Sequence, residues 1–168
     1  YSNIHDSSAK TQVGGSFKAT GGENGGDGGR IETSGASVLN TGVVVNAGSK
    51  RGRPGQWLVD PIDIVIDSAW ADSINSSLNA DTSVTVSVEN SPSGQPQLWV
   101  QNPIGKSSGI LETSLILASD YSIIFSAPIT NSASGALNLN VIAPWVYLRN
   151  NVTTKGSQTY QIAGLVVD

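Results

Sequence analysis

Short apolar pairs recur in the last third of the sequence at a spacing of 22 to 23 residues. Each pair alternates with its neighbours in a period of two, which is typical of strands with one buried side. A repeat of this length with three short strands per turn predicts a parallel β-helix, because one coil cannot bury its apolar side alone. The two sets expected to stack are Leu115, Leu117, Ile123, Phe125 and Ile129, and Leu137, Leu139, Val146, Leu148 and Val152.

The stretch from Gly55 to Asp67 has the same pattern around a proline. An apolar run that contains Trp57 and Leu58 stops at Asp60, and isoleucine then alternates with Asp, Val and Asp. Pro61 cannot donate a hydrogen bond to a strand ladder, so the chain must turn or begin a new strand there. We therefore predict a structural corner formed by Trp57, Asp60 and Pro61, with Trp57 and Leu58 buried.

Residues 68–113 differ from the rest of the sequence. Trp70, Ile74 and Leu78 lie four residues apart, which predicts a helix of about three turns. A strand is expected from Ser83 to Val88, whereas 90–109 contains three prolines and several turn residues. The resulting prediction is an all-β chain with one short helix and an excursion near 68–113, between coils at 1–67 and regular coils at 114–168.

Composition argues against several classes of function. Only 13% of residues are charged, the formal net charge is −4 and the one basic cluster, 50–53, is short, so no nucleic acid partner is expected. The absence of Cys removes disulfides and thiolate metal sites. No apolar run reaches the roughly 20 residues that span a bilayer, so no membrane insertion is expected. Because the sequence lacks both Met and a signal-peptide pattern, we expect 1–168 to be a single segment excised from a larger secreted protein.

Two motifs stand in a fixed order in the first half of the chain. Gly28 to Gly35 reads GGRIETSG, and Gly55 to Pro61 reads GQWLVDP. Together they resemble the paired motifs of filamentous haemagglutinin-type exoproteins, the large surface adhesins of two-partner secretion. Residues 72–79, 83–86 and 151–160 are similar to that family's short helix, following strand and recurring coil. The family's amino-terminal secretion domain is missing from this sequence, and 90–113 is richer in Pro and Trp than a plain coil.

The resemblance extends over nearly the whole chain and implies a right-handed β-helix that forms the shaft of an adhesin. It also implies export through an outer-membrane pore partner and display outside a Gram-negative cell, where a host-cell receptor or glycan is the expected contact. No cofactor is expected. We predict that partner contact involves 68–111 and the tryptophans Trp70, Trp99 and Trp145. Asn75 and Asn151 begin Asn-x-Ser/Thr sequences and are candidate glycosylation sites.

A carbohydrate-active enzyme is the alternative, since parallel β-helices also carry polysaccharide-cleaving sites. Its candidate acids are Asp60, Asp63 and Asp67. A glycosidase pair lies roughly 5 to 9.5 Å apart, whereas Asp63 and Asp67 on one strand side would be about 13 Å apart at the rise of an extended chain. No basic residue alternates with these acids. We therefore predict structural roles for all three and a chain that is not an enzyme.

Two further features have possible chemical roles that the sequence supports less well. The glycine-dense run 21–29 predicts a tight turn, and a calcium site is the alternative because Asp27 supplies oxygen ligands within a single imperfect copy of a calcium-binding repeat. His5, the one histidine, lies in a polar first segment where neither a catalytic triad nor a metal site is expected.

Overall fold

The computed structural model describes residues 9–89 and 95–168, and within these ranges the chain is mostly β-structure with one short helix. The strands are β1 (Lys10–Lys18), β2 (Arg30–Ser34), β3 (Ser37–Asn46), β4 (Gln56–Asp60), β5 (Ile64–Ile66), β6 (Ser83–Val88), β7 (Gln97–Val100), β8 (Ile104–Lys106), β9 (Thr113–Ser119), β10 (Ser122–Phe125), β11 (Ile129–Asn131), β12 (Leu137–Leu148), β13 (Val152–Thr153) and β14 (Gln158–Val167). The helix, α1, spans Ser68–Asn79.

Parallel pairing joins strands that lie one coil apart in the sequence. A nine-stranded sheet carries β2, β4, β6, β9, β12 and β14 along one side, and β5, β7 and β10 along the next. Strand β12 belongs to both sides, because 137–142 pair with β9 and 145–148 pair with β10. Strand β14 pairs with β12 along both sides. The sheet therefore curls around a corner at Pro144. A three-stranded sheet of β8, β11 and β13 forms a third side, and β1 pairs with β3.

The all-β class and the parallel stacking are confirmed, but the excursion predicted near 68–113 is wrong. Strand β6 lies between β4 and β9, β7 lies between β5 and β10, and β8 pairs with β11. The described strands of this segment thus pair within the same sheets as the strands before and after it. Pro96 and Pro103 immediately precede β7 and β8, so these prolines stand at strand starts, where a missing N–H donor costs the ladder least.

The predicted register is right for three pairs and shifted for two. Val146 pairs with Ile123, Leu148 with Phe125, and Val152 with Ile129, as expected. On the first side, however, Leu139 pairs with Leu115 and Leu137 with Thr113. The alignment predicted there is wrong by two residues. Leu115 pairs with a residue 24 positions later in the sequence, whereas the predicted pair is 22 positions apart.

The helix α1 occupies the third side of its coil, in contact with β3 on one edge and β8 on the other. Asp67 begins it as N-cap, with its carboxylate accepting the Trp70 N–H at 3.0 Å. Trp70, Ile74 and Leu78 are buried on one side of the helix, which confirms the predicted helix. Asn40 of β3 donates from its side-chain amide to Ala69 O and Ser73 Oγ, at 2.9 Å each. The helix is thus bonded into the stack, with β3 below it.

The core is a set of apolar rows that run from coil to coil. In one row Trp57, Val84, Leu115 and Leu139 pair in succession, and all four side chains are buried. Full burial of a large aliphatic side chain stabilises a fold by about 1.5 to 3 kcal/mol, so the rows hold the coils together. Leu58 is only half-buried, contrary to prediction, because it is adjacent to the inward Trp57 and alternation turns it outward.

Among the described residues, no helix is long and apolar enough to cross a membrane.

Candidate functional site

The predicted corner is built around Trp57. Its side chain is completely buried, its indole Nε1 donates to Thr33 Oγ1 at 3.1 Å, and its ring stacks on Trp70 with centroids 6.2 Å apart. Pro61 is also buried, and the chain bends there between β4 and β5. Trp70 is therefore a core residue, and its predicted role in partner contact is wrong. The alternation after Pro61 predicts Asp67 on the outward side of a strand. Asp67 instead caps α1, and the helix that begins there directs Trp70 into the core.

The three candidate acids have separate structural surroundings. Asp63 accepts a hydrogen bond from the Gln97 N–H at 2.8 Å, which joins β5 to β7. Asp67 caps α1. Asp60 is half-buried at the end of β4, where burial, and then the charges of Glu89 and Glu32, raise the pKa of its carboxyl. No group of three or more His, Asp or Glu that could hold a metal occurs in 9–89 and 95–168.

The glycine-dense run forms a tight turn, as predicted. Gly22 and Gly25 make an antiparallel bridge, and Gly25 and Gly26 have φ values of 138° and 107°, which side chains disfavour. Asp27 accepts from the Arg53 backbone N–H at 2.8 Å and pairs with its guanidinium at 3.1 Å. The backbone bond, assisted by the charge, lowers the pKa of the Asp27 carboxyl. The Asp27 oxygens therefore link this turn to the basic cluster. Within 9–89 and 95–168 no group of three acidic or histidine side chains supports the alternative of a calcium site.

The two candidate glycosylation sites have different surroundings. Asn75, half-buried on α1, donates from Nδ2 to Pro103 O at 3.2 Å and accepts the Gly105 N–H at 2.7 Å. Asn75 bridges the helix to β8, and both polar atoms of its amide are used in hydrogen bonds within the fold. Asn151 is exposed in the turn before β13. Its side chain is accessible, and its modification stays a prediction. His5 lies outside the described residues.

An outward row of apolar side chains runs along the second side of the stack. Val65, Trp99, Ile124, Tyr147 and Val166 pair in register on β5, β7, β10, β12 and β14, and we name this row the outer ladder. Val65 is 44% exposed and the other four are half-buried. The inward neighbours on β5, β7 and β10 are buried, so the outer ladder faces away from the core. Exposed apolar patches are common at contact surfaces, so the outer ladder is the candidate site.

Of the predicted contact residues, Trp99 is in the outer ladder and Trp145 flanks it on β12, 46% exposed. Sequence reasoning found these two tryptophans but missed the row. Its members are separated by 34, 25, 23 and 19 residues, so no fixed period reveals them.

Comparison with protein-family models, with curated proteins and with solved structures finds no match.

Proposed function

We propose that this chain is a right-handed parallel β-helix and a shaft segment of a secreted adhesin of the two-partner secretion type. The observation that carries the proposal is the register of its two motifs. Residues 30–34 of GGRIETSG pair one to one with 56–60 of GQWLVDP on adjacent strands of one side. The motifs are thus successive rungs of a stack, as a repeating shaft requires.

The stack has the geometry of a segment that can be lengthened. Leu165 and Val167 of β14 continue the inward rows of Val146 and Leu148, yet they are 51% and 67% exposed. A further coil placed on β14 would bury them and pair its backbone at about 4.8 Å spacing.

The surroundings of Asp60, Asp63 and Asp67 favour an adhesin that contacts a partner over an enzyme. Asp63 and Asp67 accept backbone N–H groups that hold strands and helix in place. Asp60 lies near two other carboxylates, Glu89 and Glu32, whose charges add to burial in raising the pKa of its carboxyl. In the proposed setting the full-length protein leaves the cell through an outer-membrane pore partner, and the exposed sides of the shaft meet a host-cell receptor or glycan.

A bead assay tests this function. Beads coated with the chain should adhere to cultured epithelial cells more than beads coated with a Leu139→Asp variant, which places an unpaired charge in the core and should not fold. Equal adhesion of the two bead types would contradict the proposal. Release of reducing ends from any polysaccharide by the purified chain would favour the enzyme instead.

A further inference from the structure

We propose that the outer ladder, together with Trp145, binds an uncharged glycan chain laid along the stack; this rests on the adhesin function and names the class of its ligand. Pyranose rings present apolar C–H faces with hydroxyl groups at the rim. Aromatic faces carry partial negative charge that attracts such C–H groups, so aromatic plates beside hydrogen-bonding side chains suit a sugar.

Each of the two indoles has a specific contact with a neighbouring coil. Trp99 donates from Nε1 to Ser126 Oγ at 2.9 Å, and Ser126 belongs to the next coil. Trp145 pairs with Gly164 in register, and a side chain at Gly164 would overlap the Trp145 ring. The glycine thus lets this indole lie over the β14 backbone. The hydrogen bond of Trp99 and the packing of Trp145 on Gly164 restrict both rings before any ligand arrives, which lowers the entropy cost of binding.

The charges around the outer ladder favour a neutral ligand. No ladder residue is charged, and Arg149, which lies 6.0 Å from the Tyr147 ring centre, is paired with Asp168 at 3.1 Å. A depression of about 360 Å³ beside Trp99 is lined by Gln95 and Gln97, whose amides both donate and accept. Asp63 also lines it, and this carboxylate would repel an anionic glycan.

The length of the outer ladder suits a chain of sugars and not a single one. Its five rungs at the strand spacing of about 4.8 Å extend over roughly 19 Å along the stack. Trp99 and Trp145 lie on strands two rungs apart. A ligand that reaches both must therefore be an oligomer, and its axis must follow that of the stack.

Calorimetric titration of the whole chain tests the proposal, with cellohexaose, laminarihexaose and mannohexaose as neutral probes and hexagalacturonate as the anionic counterpart. At least one neutral hexasaccharide should bind, its monosaccharide and the anion far more weakly. Trp145→Ala should weaken binding about tenfold, and Val65→Glu, which places a charge on the ladder without removing a ring, should abolish it. Ile110→Ala removes an exposed apolar side chain elsewhere and should leave the affinity unchanged.

Far-UV dichroism must first show that each variant is folded. Binding that survives both Trp145→Ala and Val65→Glu would overturn the proposal. The absence of binding to every neutral probe would also overturn it. If the chain then self-associates and Val65→Glu makes it monomeric, the outer ladder is a protein interface. Adhesion of coated beads without any glycan binding would reject the ligand class and leave the adhesin function standing.

Discussion

The Lys106 ammonium lies 2.7 Å from a carboxylate oxygen of Asp81, and the lysine side chain is fully buried. The same ammonium donates to Leu78 O at 2.7 Å, in the last turn of α1. Asp81 has a φ of 56° and also accepts the Ile110 and Leu111 N–H groups. One ion pair therefore joins the end of the helix to β8 and to the turn that follows it.

Replacing Lys106 with Met should strongly destabilise the chain. The substitution keeps most of the side-chain volume but leaves Asp81 and Leu78 O without their shared donor. Loss of one partner from a buried pair costs about 3 to 5 kcal/mol, which urea unfolding would measure. Lys155 supplies the control, because it also donates to a carbonyl, Ala133 O, from an exposed position; Lys155→Met should cost less than about 1 kcal/mol. Equal losses in the two variants would refute the assigned role.

The sequence was informative where a pattern is local. The spacing of Trp70, Ile74 and Leu78 predicts α1, because a helix buries one stripe of its own residues. The place of that helix between β3 and β8 depends on Asn40 and Asn75, whose partners lie 28 to 33 residues away. Such distant bonds leave no local trace in the sequence.

Short strands explain the error at 90–113. Strand β7 has four residues and β8 only three, too few for alternation to be distinguished from a turn, so the prolines there favour an excursion. For the candidate site, residue type predicts that tryptophan matters, and alternation with the inward Val146 predicts that Trp145 points outward. Trp70 is buried because the helix that Asp67 caps turns it toward the core. Trp145 is exposed because it follows the sheet corner at Pro144 on the outward side of β12.

Trp57→Ala should be among the most destabilising substitutions in the chain. The change opens a cavity beside Trp70 and removes the donor to Thr33 Oγ1. Aromatic-to-alanine changes in a core cost about 3 to 5 kcal/mol. Trp145→Ala, at an exposed position, should shift the urea midpoint little. If Trp57→Ala unfolds at the midpoint of the parent, the corner is not an anchor of the fold.

Gly55→Ala should destabilise the junction between the two motifs. Gly55 donates its N–H to Ala47 O, and a methyl group on it would overlap Gly29 O and Ala47 O. Both obstacles are backbone atoms, so relief requires the coils to move apart, at a cost of about 1 to 3 kcal/mol. At Gly105 the nearest atom to an added methyl is the Thr130 hydroxyl at 3.0 Å, which can rotate away. A smaller loss of thermal stability in Gly105→Ala than in Gly55→Ala is the expected order.

Asp60→Asn should make the chain more stable at neutral pH. Burial, then Glu89 and Glu32, raise the Asp60 pKa above 3.8 in the folded state. The folded chain therefore holds this proton more tightly than the unfolded chain does. The resulting stabilisation is complete below pH 3.8 and is lost as the pH rises through the raised pKa. Asparagine cannot ionise, so the variant escapes that loss.

Urea midpoints of Asp60→Asn and the parent, compared at several values from pH 3 to pH 7, measure this effect. The variant's advantage should grow with pH and then level off above the raised pKa. Asp27→Asn is the matched control with the opposite sign. Because its bonds to Arg53 lower the Asp27 pKa, the parent should be the more stable protein at pH 7, and this difference should shrink as the pH falls through the lowered value. A lower midpoint for Asp60→Asn than for the parent at pH 7 would mean that the Asp60 carboxylate is stabilised in the fold, contrary to its desolvated position beside two other acids.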